Sequence, residues 1–247
     1  MRLSVVLPCF FKNTDFCDSI RAIASLGYDC AELWGWDGID PDAAKQVLSE
    51  TGVELVSLCT TDFRLNDPSC RQSFLDGLKK TCEFASKVGA THVLTQVGND
   101  TGEPRDLQRA SIIEGLRAAR PILEQYGIVL IIEPLSVPVY FLQHSADAFD
   151  IVRAVDSPLV KVVFDIYHQQ ITEGNIIPNI TENVDCIAHL HGAGHPGRNE
   201  FETGENNYHI ILRAAQDAGF KGVIGLEYRP SVEPMESLKR TMELFSG

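Results

Sequence analysis

No two of the seven cysteines in this 247-residue chain form a Cys-x-x-Cys pair; Cys9, Cys17, Cys30, Cys59, Cys70, Cys82 and Cys186 are scattered singly. That excludes a zinc knuckle and suggests no disulfide framework, leaving reduced, mostly buried thiols as the reading. No apolar run approaches the roughly 20 residues of a membrane span. Met1-Arg2-Leu3-Ser4 leads directly into a strand-like run with no signal-peptide cleavage pattern, so no membrane partner is expected and the expected location is cytoplasmic. Cations are scarce, with 21 Lys and Arg against 34 Asp and Glu and a formal net charge of −13. With no basic cluster to override that average, nucleic acid is excluded as a partner, because its phosphates would be repelled. A few local arginines can still make a cationic pocket in an acidic protein. No Gly-x-Gly-x-x-Gly or Walker lysine motif follows any apolar run, which removes the usual ligands of an open doubly wound sheet.

What the chain does have is a set of short aliphatic runs that each end in a charged or metal-binding side chain. Residues 128–132 read Ile-Val-Leu-Ile-Ile and finish in Glu133; 160–164 finish in Asp165, 187–190 in His191, and 223–226 in Glu227. Such runs, without polar alternation, are how strands buried on both faces of a parallel sheet read. The whole chain repeats the theme. Strands are expected over 3–10, 30–34, 53–58, 91–97, 128–133, 159–165, 186–191 and 222–227. Helical spacing is expected over 15–25, 41–50, 69–88, 104–126 and 146–155, somewhere within 176–183, in the stretch ending at 217, and over 232–245. The composition, 44% hydrophobic and 22% charged, is that of an ordinary globular protein. Eight strand-then-helix units without a linker, in a chain near the ~250 residues a barrel needs, predict an α/β fold: a single (β/α)8 (TIM) barrel domain over residues 1–247.

In such a barrel the active site forms at the C-terminal ends of the strands. Glu133, Asp165, His191 and Glu227, 32, 26 and 36 positions apart, would then share one mouth. Three carboxylates and an imidazole suit Mn²⁺ or Mg²⁺, with Co²⁺ or Zn²⁺ as substitutes. Without a cation, at least one carboxylate would have to take up a proton. Taken singly, each carboxylate reads as a helix cap or a surface salt bridge before a ligand, and it is their conjunction that argues for a metal. His189 competes with His191; the two face the same side, and depth favours His191 at the rim. His168, just after the sixth strand, is placed to reach substrate or to sit as an ordinary loop histidine. Arg198 is placed either to grip a substrate oxygen or to pair with Glu200. Phe10, Trp34, Trp36 and Phe63 are candidates for lining the pocket, with core packing as the competing role.

These residues lie in segments with a familiar order: Ile132-Glu133-Pro134-Leu135-Ser136; Phe164-Asp165-Ile166-Tyr167-His168-Gln169-Gln170 with Gly174-Asn175; Pro196-Gly197-Arg198-Asn199-Glu200 with Gly204-Glu205-Asn206-Asn207-Tyr208; and Gly225-Leu226-Glu227-Tyr228-Arg229-Pro230. Through them the C-terminal half resembles the xylose isomerase-like barrel superfamily, and within it the hydroxypyruvate isomerase family, which includes 2-oxo-tetronate isomerases. The resemblance implies a metal held by Glu133, Asp165, His191 and Glu227, with His168 and Arg198 on the substrate's oxygens. Glu133 and Glu227 would be the acid/base pair of a proton transfer through a cis-enediolate. The implied substrate is a small open-chain sugar or keto acid such as hydroxypyruvate or a 2-oxo-tetronate, with Arg198, Arg229 or Arg64 to hold a carboxylate. Barrels of this superfamily often pair or tetramerise, so a homo-oligomer is also implied as an option.

There are departures from the pattern. His191 stands where hydroxypyruvate isomerases usually carry glutamine and ketose 3-epimerases carry histidine. The isomerases' Pro-Gly-Arg-Glu segment after strand three is replaced by Asp62-Phe63-Arg64-Leu65-Asn66-Asp67-Pro68. The epimerases' substrate-binding glutamate falls on Val139. A ketose 3-epimerase is therefore the rival enzyme, and a sugar-acid-binding barrel without turnover, or a subunit that needs a partner, is the rival of another class.

Overall fold

Eight aliphatic runs become eight parallel strands: β1 (Arg2–Val6), β2 (Cys30–Leu33), β3 (Glu54–Cys59), β4 (His92–Thr95), β5 (Val129–Ile132), β6 (Val160–Asp165), β7 (Ile187–Gly192) and β8 (Val223–Leu226). In the computed structural model each pairs with its sequence neighbours, and β1 pairs with β8, Leu3 opposite Ile224 and Ser4 opposite Gly225, so the sheet closes into a barrel. The structure describes residues 1–245; Ser246 and Gly247, the end of the expected domain, lie outside the described residues.

Helices α1 (Leu7–Phe10), α2 (Phe16–Ser25), α3 (Pro41–Thr51), α4 (Arg71–Val88), α5 (Arg105–Tyr126), α6 (Ser145–Val155), α7 (Ile166–Thr172), α8 (Ile176–Thr181), α9 (Tyr208–Asp217) and α10 (Pro234–Phe245) surround it. Their starts follow capping chemistry: the side chains of Asp15, Asp40 and Asn207 accept backbone N–H groups at the heads of α2, α3 and α9. Gly52 and Gly89 end α3 and α4 with φ of 73° and 80°, the left-handed conformation glycine adopts without a Cβ clash. Among the described residues no helix is long and apolar enough to cross a membrane.

Two expectations need correction. The first strand stops at Val6 rather than running to residue 10, because Pro8 lacks the N–H a sheet ladder needs and instead starts the short α1. The sixth loop holds two helices where one was expected, because the Asp165 side chain accepts from the Tyr167 and His168 N–H groups and so starts α7 directly at the strand end.

Residues two apart on a strand face the same side. Cys59, Leu94, Ile131 and Val163 form a small apolar cluster separate from the main core, whereas Leu130, Ile132 and Phe164 join the large core. Counting by twos from Ile131 and Val163 gives Glu133 and Asp165, and counting from His189 and Gly225 gives His191 and Glu227. The pleat therefore turns all four toward the same mouth.

Candidate active site and metal centre

Glu133, Asp165, His191 and Glu227 are all buried. Donor atoms from Glu133, Asp165, His168 and Glu227 lie within 4.8 Å of one another. The Nδ1 atom of His191 lies 3.6 Å from Glu133 Oε1 and 3.8 Å from Glu227 Oε2. Glu133 Oε1, Asp165 Oδ2 and His191 Nδ1 have no hydrogen-bond partner. A buried polar atom left unpaired costs on the order of 1–3 kcal/mol, so three that lie around the Glu227 carboxylate fit a divalent cation that would satisfy them. Mixed oxygen and imidazole donors suit a hard or borderline metal.

The other edge of His191 carries a second set of contacts. Its Nε2 lies 3.1 Å from Glu32 Oε2, so Nε2–H donates there and Nδ1 is the ring nitrogen left facing the Glu133 and Glu227 carboxylates. His189 lies deeper. Its Nε2 is 3.0 Å from the same Glu32 oxygen but off the hydrogen-bond direction, and a ligand atom of His189 lies within 4.8 Å of ones on Glu32 and His191. Glu32 also accepts from Ser57 Oγ at 2.6 Å.

His168 is held the opposite way round. The Ser136 backbone N–H donates to its Nδ1 at 3.1 Å, which leaves the ring proton on Nε2, 3.7 Å from Asp165 Oδ2. A protonated nitrogen cannot ligate a metal, so in this tautomer His168 offers a hydrogen-bond donor to the site. Asp165 divides its carboxylate: Oδ1 caps α7 and Oδ2 faces the cluster. Arg198, at a backbone φ of 58°, donates through NH2 to Glu227 Oε2 and lies 5.1 Å from the Tyr167 ring centre. Glu200, its rival partner, instead accepts from the Ser231 N–H and the Ser237 hydroxyl.

Charge is unevenly spread over these groups. Burial pushes the Glu227 carboxyl up, and although His191 and Arg198 oppose this, the neighbouring Glu133 and Asp165 help hold it at about 7. Burial also pushes Asp165 up, but His168, Arg198 and His191 outweigh it and hold that carboxyl below its usual value. Burial would lower His191, yet the facing carboxylates of Glu32, Glu227 and Glu133 raise it well above a normal histidine.

A cavity of about 370 Å³ opens above the cluster, lined in part by Trp34, Phe63, Glu133, His168, Arg198 and Glu227. Trp34 is 50% exposed and donates its indole N–H to Glu227 Oε1 at 2.9 Å. A neighbouring cavity of about 450 Å³ shares Trp34, Arg198 and Glu227 and adds Lys12 and Arg229. Other expectations fall elsewhere. Phe10 is buried edge-on against Tyr228, with ring centres 5.0 Å apart, and belongs to the core rather than the cavity wall. Trp36 stacks on Phe84, and Arg64 is exposed beside Asp62.

Sequence reasoning missed Glu32, Ser57 and Ser136. Glu32 left one signal, a carboxylate inside the buried Cys30–Leu33 strand two residues before Trp34 and therefore on its inward face.

The family model for xylose isomerase-like TIM barrels matches residues 20–246. The chain is 28% identical over 251 residues to hydroxypyruvate isomerase of Escherichia coli K12, covering 97% of each chain. It is 28% identical over 247 residues to 2-oxo-tetronate isomerase of Haemophilus influenzae, covering 94% of this chain and 95% of that one. The crystal structure of an AP endonuclease, family 2, from Brucella melitensis superposes with a TM-score of 0.93 at 24% identity, over 99% of this chain and 98% of that one. At that identity the superposition speaks for the fold alone.

Proposed function

Because the chain belongs to the xylose isomerase-like TIM barrel family, and its curated relatives of similar length are isomerases, we propose that it is a metal-dependent isomerase of small open-chain hydroxy-carbonyl compounds, of the hydroxypyruvate or 2-oxo-tetronate kind. The observation that carries the reading is three unpartnered buried atoms, Glu133 Oε1, Asp165 Oδ2 and His191 Nδ1, around Glu227, which with Glu133 lines the cavity. These four residues would hold Mn²⁺ or Mg²⁺, with Co²⁺ or Zn²⁺ as alternatives. A bound divalent ion would supply a Lewis acid for the substrate's oxygens.

The chain's own groups account for the proton movements. Glu133 and Glu227 form the acid/base pair: one takes the proton from the carbon beside the carbonyl, the other returns a proton to the former carbonyl carbon after a cis-enediolate has formed, and the hydroxyl proton passes to the former carbonyl oxygen. His168 Nε2–H donates to a substrate oxygen. Arg198 keeps Glu227 in place and presents positive charge at the cavity wall, and Trp34 fixes the other Glu227 oxygen.

The test is solvent-deuterium uptake, screened over C3 to C6 keto acids and ketoses in D₂O with each metal added. Wild-type protein should label its substrate, and Glu133→Gln and Glu227→Gln should each abolish labelling. Exchange at the wild-type rate in both variants overturns the mechanism. Labelling without interconversion of aldehyde and ketone forms would favour the 3-epimerase reading, and no labelling of any compound would favour a binding barrel.

A further inference from the structure

We propose that Glu32 is a positioning residue for the metal centre: it grips the Nε2–H edge of His191 from across the barrel, so that Nδ1 is the atom presented to the ion. The inference rests on the metal-centre reading above and extends it to a residue outside the ligand set.

The geometry is specific. Glu32 is on β2 and His191 on β7, with β1 and β8 between them in the closed sheet. The Glu32 side chain reaches His191 through the barrel interior because the intervening strands carry small residues in register. Ser4 of β1 pairs with Gly225 of β8, and Gly225 pairs with His191. A Cβ at position 225 would lie 2.5 Å from Glu32 Oε1 and 2.6 Å from His191 Cδ2, so glycine is what leaves room for the contact. Ser57, the partner of Glu32 at a register shift between β2 and β3, donates its hydroxyl at 2.6 Å to the same Oε2 that faces His191 and so fixes that oxygen's position.

The chemistry follows from the contact. An imidazole that donates one N–H to a carboxylate is fixed in tautomer and ring angle, and its other nitrogen becomes a better electron-pair donor. A stabilising role alone would not call for this arrangement, since burying an ion pair gains little over apolar packing.

Mn²⁺ binding to the full chain, followed by the EPR signal of free Mn²⁺, tests this in wild type, Glu32→Gln, Ser57→Ala and Asp165→Asn. Glu32→Gln should weaken binding by about 10- to 100-fold, the usual effect of losing such an outer partner. Ser57→Ala keeps the carboxylate but loses its alignment, so it should weaken binding less; it also serves if Glu32→Gln does not fold. In ¹⁵N-histidine spectra of the Zn²⁺-loaded wild type, His191 should carry its proton on Nε2. A His191 proton on Nδ1, or wild-type Mn²⁺ affinity in Glu32→Gln and Ser57→Ala while Asp165→Asn has lost it, overturns the role of Glu32 alone. A wild-type chain that binds no divalent ion overturns both this role and the metal centre.

Discussion

The two halves of the barrel interior are built differently. Beneath Glu133 and Asp165, on the side of β3 to β6, lie Cys59, Leu94, Ile131 and Val163, which pack as a small apolar cluster. Beneath His191 and Glu227, on the side of β7, β8 and β2, lie His189, Gly225 and Glu32, which combine charge with small volume. On the apolar side a cluster-facing carboxylate takes its direction from its own segment, as Asp165 does by capping α7. On the polar side the direction comes from the opposite strand, through the contact between Glu32 and His191. Charge balance differs as well. Burial acts to raise both Glu32 and Glu227, but His189 and His191 outweigh it at Glu32, which is held well below the usual range, while Glu227 is held at about 7.

The sharpest way to break this contrast is His191→Leu, which leaves the buried Glu32 without its hydrogen-bonded imidazole. Breaking a buried charged pair costs about 3–5 kcal/mol. With His189 Nε2 still 3.0 Å from Glu32, the loss should fall at the low end of that range when measured by urea denaturation. A loss under about 1 kcal/mol would mean that the polar half behaves like the apolar one.

A pH series comes next in size. Since Glu227 titrates at about 7, a proton competes with the cation at pH 6 and hardly at pH 8, so the Mn²⁺ dissociation constant should be about tenfold larger at pH 6. The sign for the metal-free protein follows from the same shift. The Glu227 pKa is raised on folding from 4.5, so its contribution to stability is fully present below 4.5 and is lost as pH rises through about 7. A Tm series on metal-free wild type and Glu227→Gln should therefore show the variant less sensitive to pH between 5 and 8.

The smallest effect is expected from Ile131→Val in the apolar half. It should cost about 0.5–1.5 kcal/mol of stability and leave Mn²⁺ affinity unchanged. A change in affinity there would show that the apolar half also steers the ligands.

Much of this was legible in the sequence because barrel strands advertise themselves twice, by an unbroken aliphatic run and by the residue at its end. Glu133, Asp165, His191 and Glu227 all stand at such ends. Elements whose identity depends on a single local contact were harder to read. The seven residues of α7 are too few for helical periodicity, and its start depends on the Asp165 side chain, which serves as helix cap and site carboxylate at once. Pro8 ends β1 within a run whose composition still reads as strand. Phe10 looked like a pocket aromatic, but the helical turn that begins at Leu7 buries it against Tyr228. Glu32 was missed because its partner lies on a strand 159 positions away and the space between them depends on Gly225, a relation that exists only once the barrel has closed.

The bond between Trp34 and Glu227 has an optical consequence. The chain has two tryptophans; Trp36 is held by its stack on Phe84 and its bond to Thr81, while Trp34 stands half exposed with its indole N–H on Glu227. One emitter is thus tied to a carboxylate of the candidate site and the other to the protein body. Whatever draws Glu227 away from the indole, whether cation, substrate or proton, alters one fluorophore and leaves the other as an internal reference, so the native protein carries its own unlabelled gauge of site occupancy.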